Sequence, residues 1–439
     1  MKITKQILTW ATVACLTASS ALASSIAGMD GSTAHPYVIN IAGSTAFRAG
    51  TNQAIKAALG SCTHAYSNDG NSGTYTDATY NIFSGTVGTG TNNNYIIRTN
   101  WTKGSLSGLT VLNAQTTLAY FPVATVMSSG VGTPYATSAA TENDTMDLAL
   151  SDVLKSNVSA LKSANLNAAS GGIAILPFVF VKSKDASTIA PTFTSITPDA
   201  FKALASSGNI PLSWVTGNSA DSTKLVFLTG RKDSSGTRLV IFATTGFGYT
   251  SLAKQFKVGQ TGGQNTAITS LTLWPAGDSS PVDYVSKQFN TDTLGNGGYD
   301  TGLRIGDALG STNLNSISVT DKSGTRPIGA GTAIVVGYVG TDDAYYAMHN
   351  SGAEIVGYNG VTITPTASDI TGSDKVYSGQ YALWSLEQLY WKGTSPTYLT
   401  AFVTPFKTAA KATLGNIALD VDLMQVARQN DGGVLSINQ

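Results

Sequence analysis

The chain is poor in charge, cysteine and histidine, and each scarcity excludes something. Asp, Glu, Lys and Arg make up 12 % of its 439 residues, about half of the ~25 % usual for soluble domains. The 26 basic and 26 acidic residues balance and are scattered, so no electrostatic case exists for holding nucleic acid or an anionic lipid surface. Three histidines, His35, His64 and His349, stand far apart, without the spacing of a metal site. No P-loop and no Gly-x-Ser-x-Gly elbow occurs. No apolar run reaches the ~20 residues that a membrane helix needs. The composition therefore predicts no catalytic set, no metal and no cofactor.

What is present begins with an export signal. Lys2 and Lys5 precede the mostly apolar stretch Ile7 to Leu16, and Ala21-Leu22-Ala23 offers small residues for cleavage. Thr12-Val13-Ala14 before Cys15 is a poor lipobox, so a cleaved soluble export signal over residues 1–23 is expected rather than a lipid anchor. Its loss removes two lysines and no acid, leaving 24 basic against 26 acidic residues, a net charge of −2. Cys62 then has no partner within the chain, and no basic cluster beside it would make it a nucleophile. The remaining ~415 residues are long for one core and predict at least two lobes.

Strand-like and helix-like segments alternate along the mature chain, as in α/β proteins. Tyr37 to Ala42 reads as a strand leading through Gly43-Ser44-Thr45 into a helix that ends near Leu59. Residues 61–94, rich in Asn, Gly, Ser and Thr, read as a hairpin-like surface insertion, and residues 115–145 as a second insertion. Tyr95 to Arg98 and Asp147 to Asp152 read as short strands, with a helix from Val153 to about Leu166. Ile173 to Val181 is an apolar β-rich run that can cross to a second lobe, and Thr197-Pro198-Asp199 starts a helix. Residues 258–330 lack clear periodicity. Thr332 to Val339 reads as a strand buried on both faces. Asn359-Gly360 is a hairpin turn, and Thr397 to Leu414 an amphipathic helix.

The densest chemistry lies at Gly230-Arg231-Lys232-Asp233-Ser234-Ser235-Gly236-Thr237, directly after the apolar run Lys224 to Leu228. A strand ending there and a helix beginning would present unpaired N–H groups and a positive dipole end to an anion. Arg231 adds a planar two-pronged donor. Three other turns, Gly43-Ser44-Thr45, Gly104-Ser105 and Ser151-Asp152, fall at similar junctions. Ligands in open α/β sheets collect at the carboxyl ends of strands. Singly, each turn has an ordinary structural reading; together with Arg231 and Asp152 they describe an anion cradle.

Here the sequence resembles the phosphate-binding proteins of bacterial ABC phosphate importers, within the type II periplasmic binding protein superfamily. That family carries Arg-x-Asp-x-Ser-Gly-Thr, matched by Arg231, Asp233, Ser235, Gly236 and Thr237. The resemblance implies ligand contacts from Arg231, Ser235, Gly236 and Thr237. The family's first loop is approximated by Gly43 to Phe47, which points to Ser44 or Thr45. Its Gly-Ser turn points to Ser105, and its Ser-Asp strand end to Asp152. Arg48 stands where the family has Pro, as an extra cation or as a solvated helix residue.

The resemblance implies a two-lobed α/β fold with a central cleft and two crossings between lobes. The lobes would run 37–172 with 378–439, and 173–377. It implies a monomer that binds inorganic phosphate, with an ABC transporter permease as partner, outside the cytoplasm. A carboxylate such as Asp152 favours an anion that brings a proton, which phosphate does and sulfate does not. The helix N-cap is the other reading of Asp152. Binding of another oxyanion, an adhesive surface role and phosphatase activity are the competing functions.

Overall fold

The computed structural model describes residues 29–70, 73–128, 132–184, 186–261, 266–274, 297–310, 315–321 and 323–438. The expected signal over residues 1–23 lies outside them. Among the described residues, no helix is long and apolar enough to cross a membrane.

In chain order, the elements that build the main sheet and frame the site are these. Strand β1 (Tyr37–Gly43) leads into helix α1 (Arg48–Ala58). Strands β2 (Gly60–Ser67), β3 (Tyr80–Thr86) and β4 (Asn94–Asn100) precede helix α2 (Ser105–Ala114). Strands β5 (Thr133–Tyr135), β6 (Leu148–Ser151) and β7 (Ala174–Lys182) follow, then helix α3 (Pro198–Ser207). Next come β8 (Asn209–Pro211), β9 (Leu225–Leu228), helix α4 (Gly236–Thr244) and helix α5 (Gly302–Leu309). Last are β10 (Ala333–Gly340), helix α6 (Thr341–Ser351), β11 (Trp384–Lys392) and helix α7 (Thr397–Ala412).

These eleven strands form one sheet in the order β8-β9-β10-β7-β11-β6-β1-β4-β3-β2-β5, with short strands attached at its side. The middle of this order carries the architecture. Strand β7 pairs through Ala174–Pro177 with β11 and through Phe178–Lys182 with β10. Strand β11 in turn passes from β7 to β6, pairing Gln388 with Ser151. Two antiparallel strands thus hand the sheet from one half to the other. All nine residues of β7 and all eight of β10 are buried, as expected of strands covered on both faces.

On one side of this crossing β1 runs parallel to β4 and β6, and on the other β9 runs parallel to β10. In both halves helices follow strands at the carboxyl ends, where turns carry the polar residues. A separate sheet pairs Phe256–Gln260, Ile268–Leu273, Ile317–Asp321 and Gly324–Ile328 in that order. It gives structure to a region whose sequence shows no clear period.

Local signals account for several elements. Thr197 caps α3, accepting from Ala200 N–H, with Pro198 in the first turn. Asn359 and Gly360 both take positive φ, 51° and 81°, as a tight hairpin turn requires.

Two readings need correction. Residues 61–94 are hairpin-like, β2 pairing antiparallel with β3, but the hairpin extends the main sheet rather than lying on the surface, burying Ala65, Ile82 and Phe83. No α-helix runs from Val153 to Leu166. Two short 3-10 turns, Lys155–Asn157 and Ser159–Leu161, stand there instead. The N–H groups that would begin a helix are taken by distant partners: Leu154 donates to Asp431 Oδ2 at 3.0 Å and Lys155 to Tyr390 Oη at 3.2 Å. Tertiary hydrogen bonds outweigh local helix preference here.

Candidate anion site

The β1–α1 turn is drawn tightly onto β6. Gly43 has φ 126°, and a Cβ there would fall 2.0 Å from the Leu150 carbonyl oxygen. Only glycine allows this approach. Ser44 follows, its N–H bonded to the same carbonyl at 2.8 Å. Its hydroxyl is buried and has no hydrogen-bond partner. Thr45, one residue on, instead accepts from Arg231 Nη2 at 2.9 Å. The two residues that the sequence left as alternatives therefore face different neighbours.

Ser105 is the first residue of α2, and its hydroxyl donates a hydrogen bond to Asp152 Oδ1. Asp152 leaves the end of β6 and is 1 % exposed. Burial pushes its carboxyl up to about 6, against the Ser105 hydroxyl and the Arg231 guanidinium, which favour the ionised form. It does not cap a helix; the Ser151 hydroxyl holds the next turn instead, accepting from Val153 N–H at 3.1 Å.

From the other half of the sheet comes the Arg231–Thr237 turn. Ser235 caps α4, accepting from Arg238 N–H at 3.4 Å, and Gly236 and Thr237 lie buried in its first turn. Gly236 packs so closely on the opposite half that a Cβ would lie 1.5 Å from Asp152 Oδ1 and 2.8 Å from Ser105 Oγ. The start of α4 thus meets the start of α2 across the Asp152 carboxyl. Both helix dipoles direct their positive ends at the same spot.

Arg231 is 2 % exposed. Its Nη2 reaches Thr45 and, at 2.8 Å, the Asp300 carbonyl, while Nε has no partner. Burial lowers its pKa, opposed by Asp343, Asp300 and Asp152. The backbone beneath it is clamped: its carbonyl accepts from Gln255 Nε2 at 3.0 Å and Arg238 Nη1 at 3.1 Å, and its N–H donates to Tyr338 Oη at 3.3 Å. Tyr338 Oη donates to Gln255 Oε1 at 2.5 Å and packs edge-on against Phe242 of α4. A rigid support of this kind keeps a guanidinium aimed.

Arg48 stands apart from this group. It opens α1 and lines a cavity of about 390 Å³ with Thr45, Asp342 and Asp343. Asp343 is raised to about 6 by burial, against the pull of Arg231 and Arg48.

Five of the anticipated residues thus come together from four separate segments in two contact groups: Arg231 bonds to Thr45, while Gly236 packs on Ser105 and Asp152, and the Arg231 guanidinium acts electrostatically on Asp152. Ser235 and Thr237 build the helix start beside them, and Ser44 faces inward from the β1–α1 turn. The sequence reading missed Arg238, Gln255, Tyr338 and Asp300, which hold Arg231. It also missed Glu387 of β11, a fully buried acid close to Ser44 and Asp152. An acid within an aromatic-rich strand was the available signal for Glu387. Gln255 and Asp300 carry no motif at all.

No family model and no curated relative matches the chain. Solved structures to which it is similar include these three. An ABC-type phosphate transport receptor from Vibrio cholerae shares 12 % identity at a TM-score of 0.41, covering 86 % of this chain and 96 % of that one. PstS from Borrelia burgdorferi shares 13 % at 0.36, covering 84 % and 92 %. A possible phosphate binding protein from Planctomyces limnophilus shares 11 % at 0.38, covering 88 % and 94 %.

The raised carboxyl gives a stability prediction. Asp152 moves from 3.8 to about 6 on folding, so between these values the native chain binds more protons than the unfolded one. Stability from this group is therefore full at the acid end and is lost as pH rises through about 6. Asn is neutral throughout. Wild type should lose stability relative to Asp152→Asn across this window, by up to ~3 kcal/mol. Thermal melts of both proteins at several pH values measure it; a pH-independent gap would contradict the assignment.

Proposed function

We propose that the protein is an exported solute-binding protein that captures inorganic phosphate, or an oxyanion of the same shape, between two lobes. The lobes are residues 37–172 with 378–439, and 173–377, joined by β7 and β11. The reading assigns ligand contacts to Ser44 or Thr45, Ser105, Asp152, Arg231, Ser235, Gly236 and Thr237. One observation carries it: Arg231 and Gly236 of one half meet Thr45, Ser105 and Asp152 of the other at two facing helix starts. Such an arrangement suits a small, multiply charged anion, because unpaired N–H groups and a guanidinium converge where water is excluded.

The internal contacts suggest how the anion enters. Ser105 bonds to Asp152, and Arg231 to Thr45, so each donor is held in place by an internal partner. When the lobes part, an entering oxyanion takes over these bonds, and closure returns Gly236 toward Asp152. An ionised Asp152 needs a proton from the ligand, and hydrogen phosphate supplies one. Sulfate leaves the carboxylate unpaired and repelled. Delivery to a membrane permease, a periplasmic or extracellular location, a monomeric state and the absence of enzyme activity belong to the same proposal.

Isothermal calorimetry of the mature protein against phosphate, sulfate and arsenate tests it. Phosphate and arsenate should release heat with high affinity, and sulfate should bind far more weakly. No heat with any of the three would end the reading. Asp152→Asn should narrow the phosphate–sulfate gap, because an amide can donate to either anion. In wild type the gap should also narrow below about pH 6, where Asp152 itself carries a proton. A gap unchanged by both the substitution and acid would remove Asp152 from the choice of anion.

A further inference from the structure

Glu387 lies on β11 opposite Ala174 of β7, where the sheet passes from one half to the other. Its side chain is 0 % exposed, and neither carboxyl oxygen has a hydrogen-bond partner. The Ser44 hydroxyl is equally buried and also has no partner, although its N–H is fixed by Leu150. Ser44 lies near enough to favour the ionised form of Glu387, although neither side chain has a hydrogen-bond partner. The other titratable neighbours are Asp152, at the end of β6, and Tyr390, on the same strand.

A bare carboxylate in this place would be costly. It would be desolvated, unpaired and next to a second acid, in a cleft proposed to receive an anion. Burial first and Asp152 second hold Glu387 well above the usual carboxylate range. A neutral carboxylic acid has a hydrogen to donate, and an anion site requires donors; burial can keep an acid neutral for that use.

We propose that Glu387 is a positioning and specificity-determining residue of the anion site: as the neutral acid it donates to the Ser44 hydroxyl, which turns its own hydrogen toward the bound oxyanion. No proton changes owner in this arrangement. The orientation of Ser44, otherwise free to rotate, is set by a group that never touches the ligand. Ser44 and Thr45 then have different duties, Thr45 holding Arg231 and Ser44 carrying the hydrogen that Glu387 aims. This inference rests on the anion-binding reading of the same site.

The test uses the mature protein and its variants Glu387→Gln, Glu387→Leu and Ser44→Ala, titrated with inorganic phosphate. Glu387→Gln keeps a neutral donor and should bind within about threefold of wild type. Glu387→Leu and Ser44→Ala should each lose about tenfold or more, and the double variant should lose no more than either single, since both break one relay. Ligand-free Glu387→Leu should melt above wild type, because an unpaired polar group leaves the core. A merely structural acid would do the reverse, lowering the melt and sparing the binding, and that result would overturn the proposal. Infrared difference spectra near neutral pH should show a protonated-carboxyl C=O band in wild type that is missing in Glu387→Gln. Loss of phosphate heat in wild type would defeat the anion reading and the role given to Ser44. The infrared band reports the proton on Glu387 in either case, and its absence would overturn the proposal even if phosphate binds.

Discussion

Gly236→Ala is expected to weaken phosphate binding by ~10–100-fold while leaving the ligand-free protein folded. Gly236 sits in the first turn of α4 with no left-handed backbone angle, so alanine suits its conformation and even favours a helix. The obstacle is outside the helix. The new methyl would lie 1.5 Å from Asp152 Oδ1, 2.5 Å from its Cγ and 2.8 Å from Ser105 Oγ, far inside van der Waals contact. Relieving it requires the two halves to separate or Asp152 to swing out of place, and overpacking of this sort costs ~1–3 kcal/mol. The first route parts the facing helix starts, and the second takes away the carboxyl that lies between them. The measurement pairs calorimetry with small-angle scattering, which should report a larger radius for the variant. Binding within about threefold of wild type would mean that the closed contact is not the bound arrangement.

Arg231→Ala is expected to cost more, ~10²–10³-fold in affinity for phosphate and sulfate alike. The guanidinium is buried and favours the ionised form of Asp152, and its Nε lacks a partner. Its hydrogen bonds to Thr45 and the Asp300 carbonyl use only one terminal nitrogen. A desolvated, incompletely bonded cation is disfavoured in the free protein and gains from an anion, so most of its effect should appear in binding. Thermal stability of the free protein should change far less than affinity. Arg231→Lys should recover only part of the loss, because an ammonium restores the charge without the planar fork. Loss of less than threefold in Arg231→Ala would place the anion elsewhere. A loss for phosphate alone would mean that Arg231, rather than Asp152, discriminates between the anions.

Much of the framework was legible because its signals are local. The apolar runs at Tyr37–Ala42, Ile173–Val181 and Thr332–Val339 are strands for reasons contained in each segment. So is the cap at Thr197. Residues 61–94 deceived because their polar, Gly-rich composition reflects tight turns between strands, while pairing with Ile97 and Arg98 decides their place. Val153–Leu166 deceived for a related reason: its helix-starting N–H groups are satisfied by Asp431 and Tyr390, more than 230 residues away. A periodicity argument sees neither partner.

The site divides in the same way. Sequence alone determined that Arg231, Ser235, Gly236 and Thr237 lie where a strand yields to a helix, since that junction is built from adjacent residues. It also singled out Asp152 and Ser105 as polar groups at other such junctions. Only the tertiary structure decided that Gly236 meets Asp152, that Thr45 rather than Ser44 takes the Arg231 hydrogen bond, and that Glu387 lies buried behind them. Those contacts depend on β7 and β11 carrying the sheet from one half to the other, and on close packing between segments that share no local sequence. Local chemistry can name the donors; the crossing of the chain decides which of them face the same place.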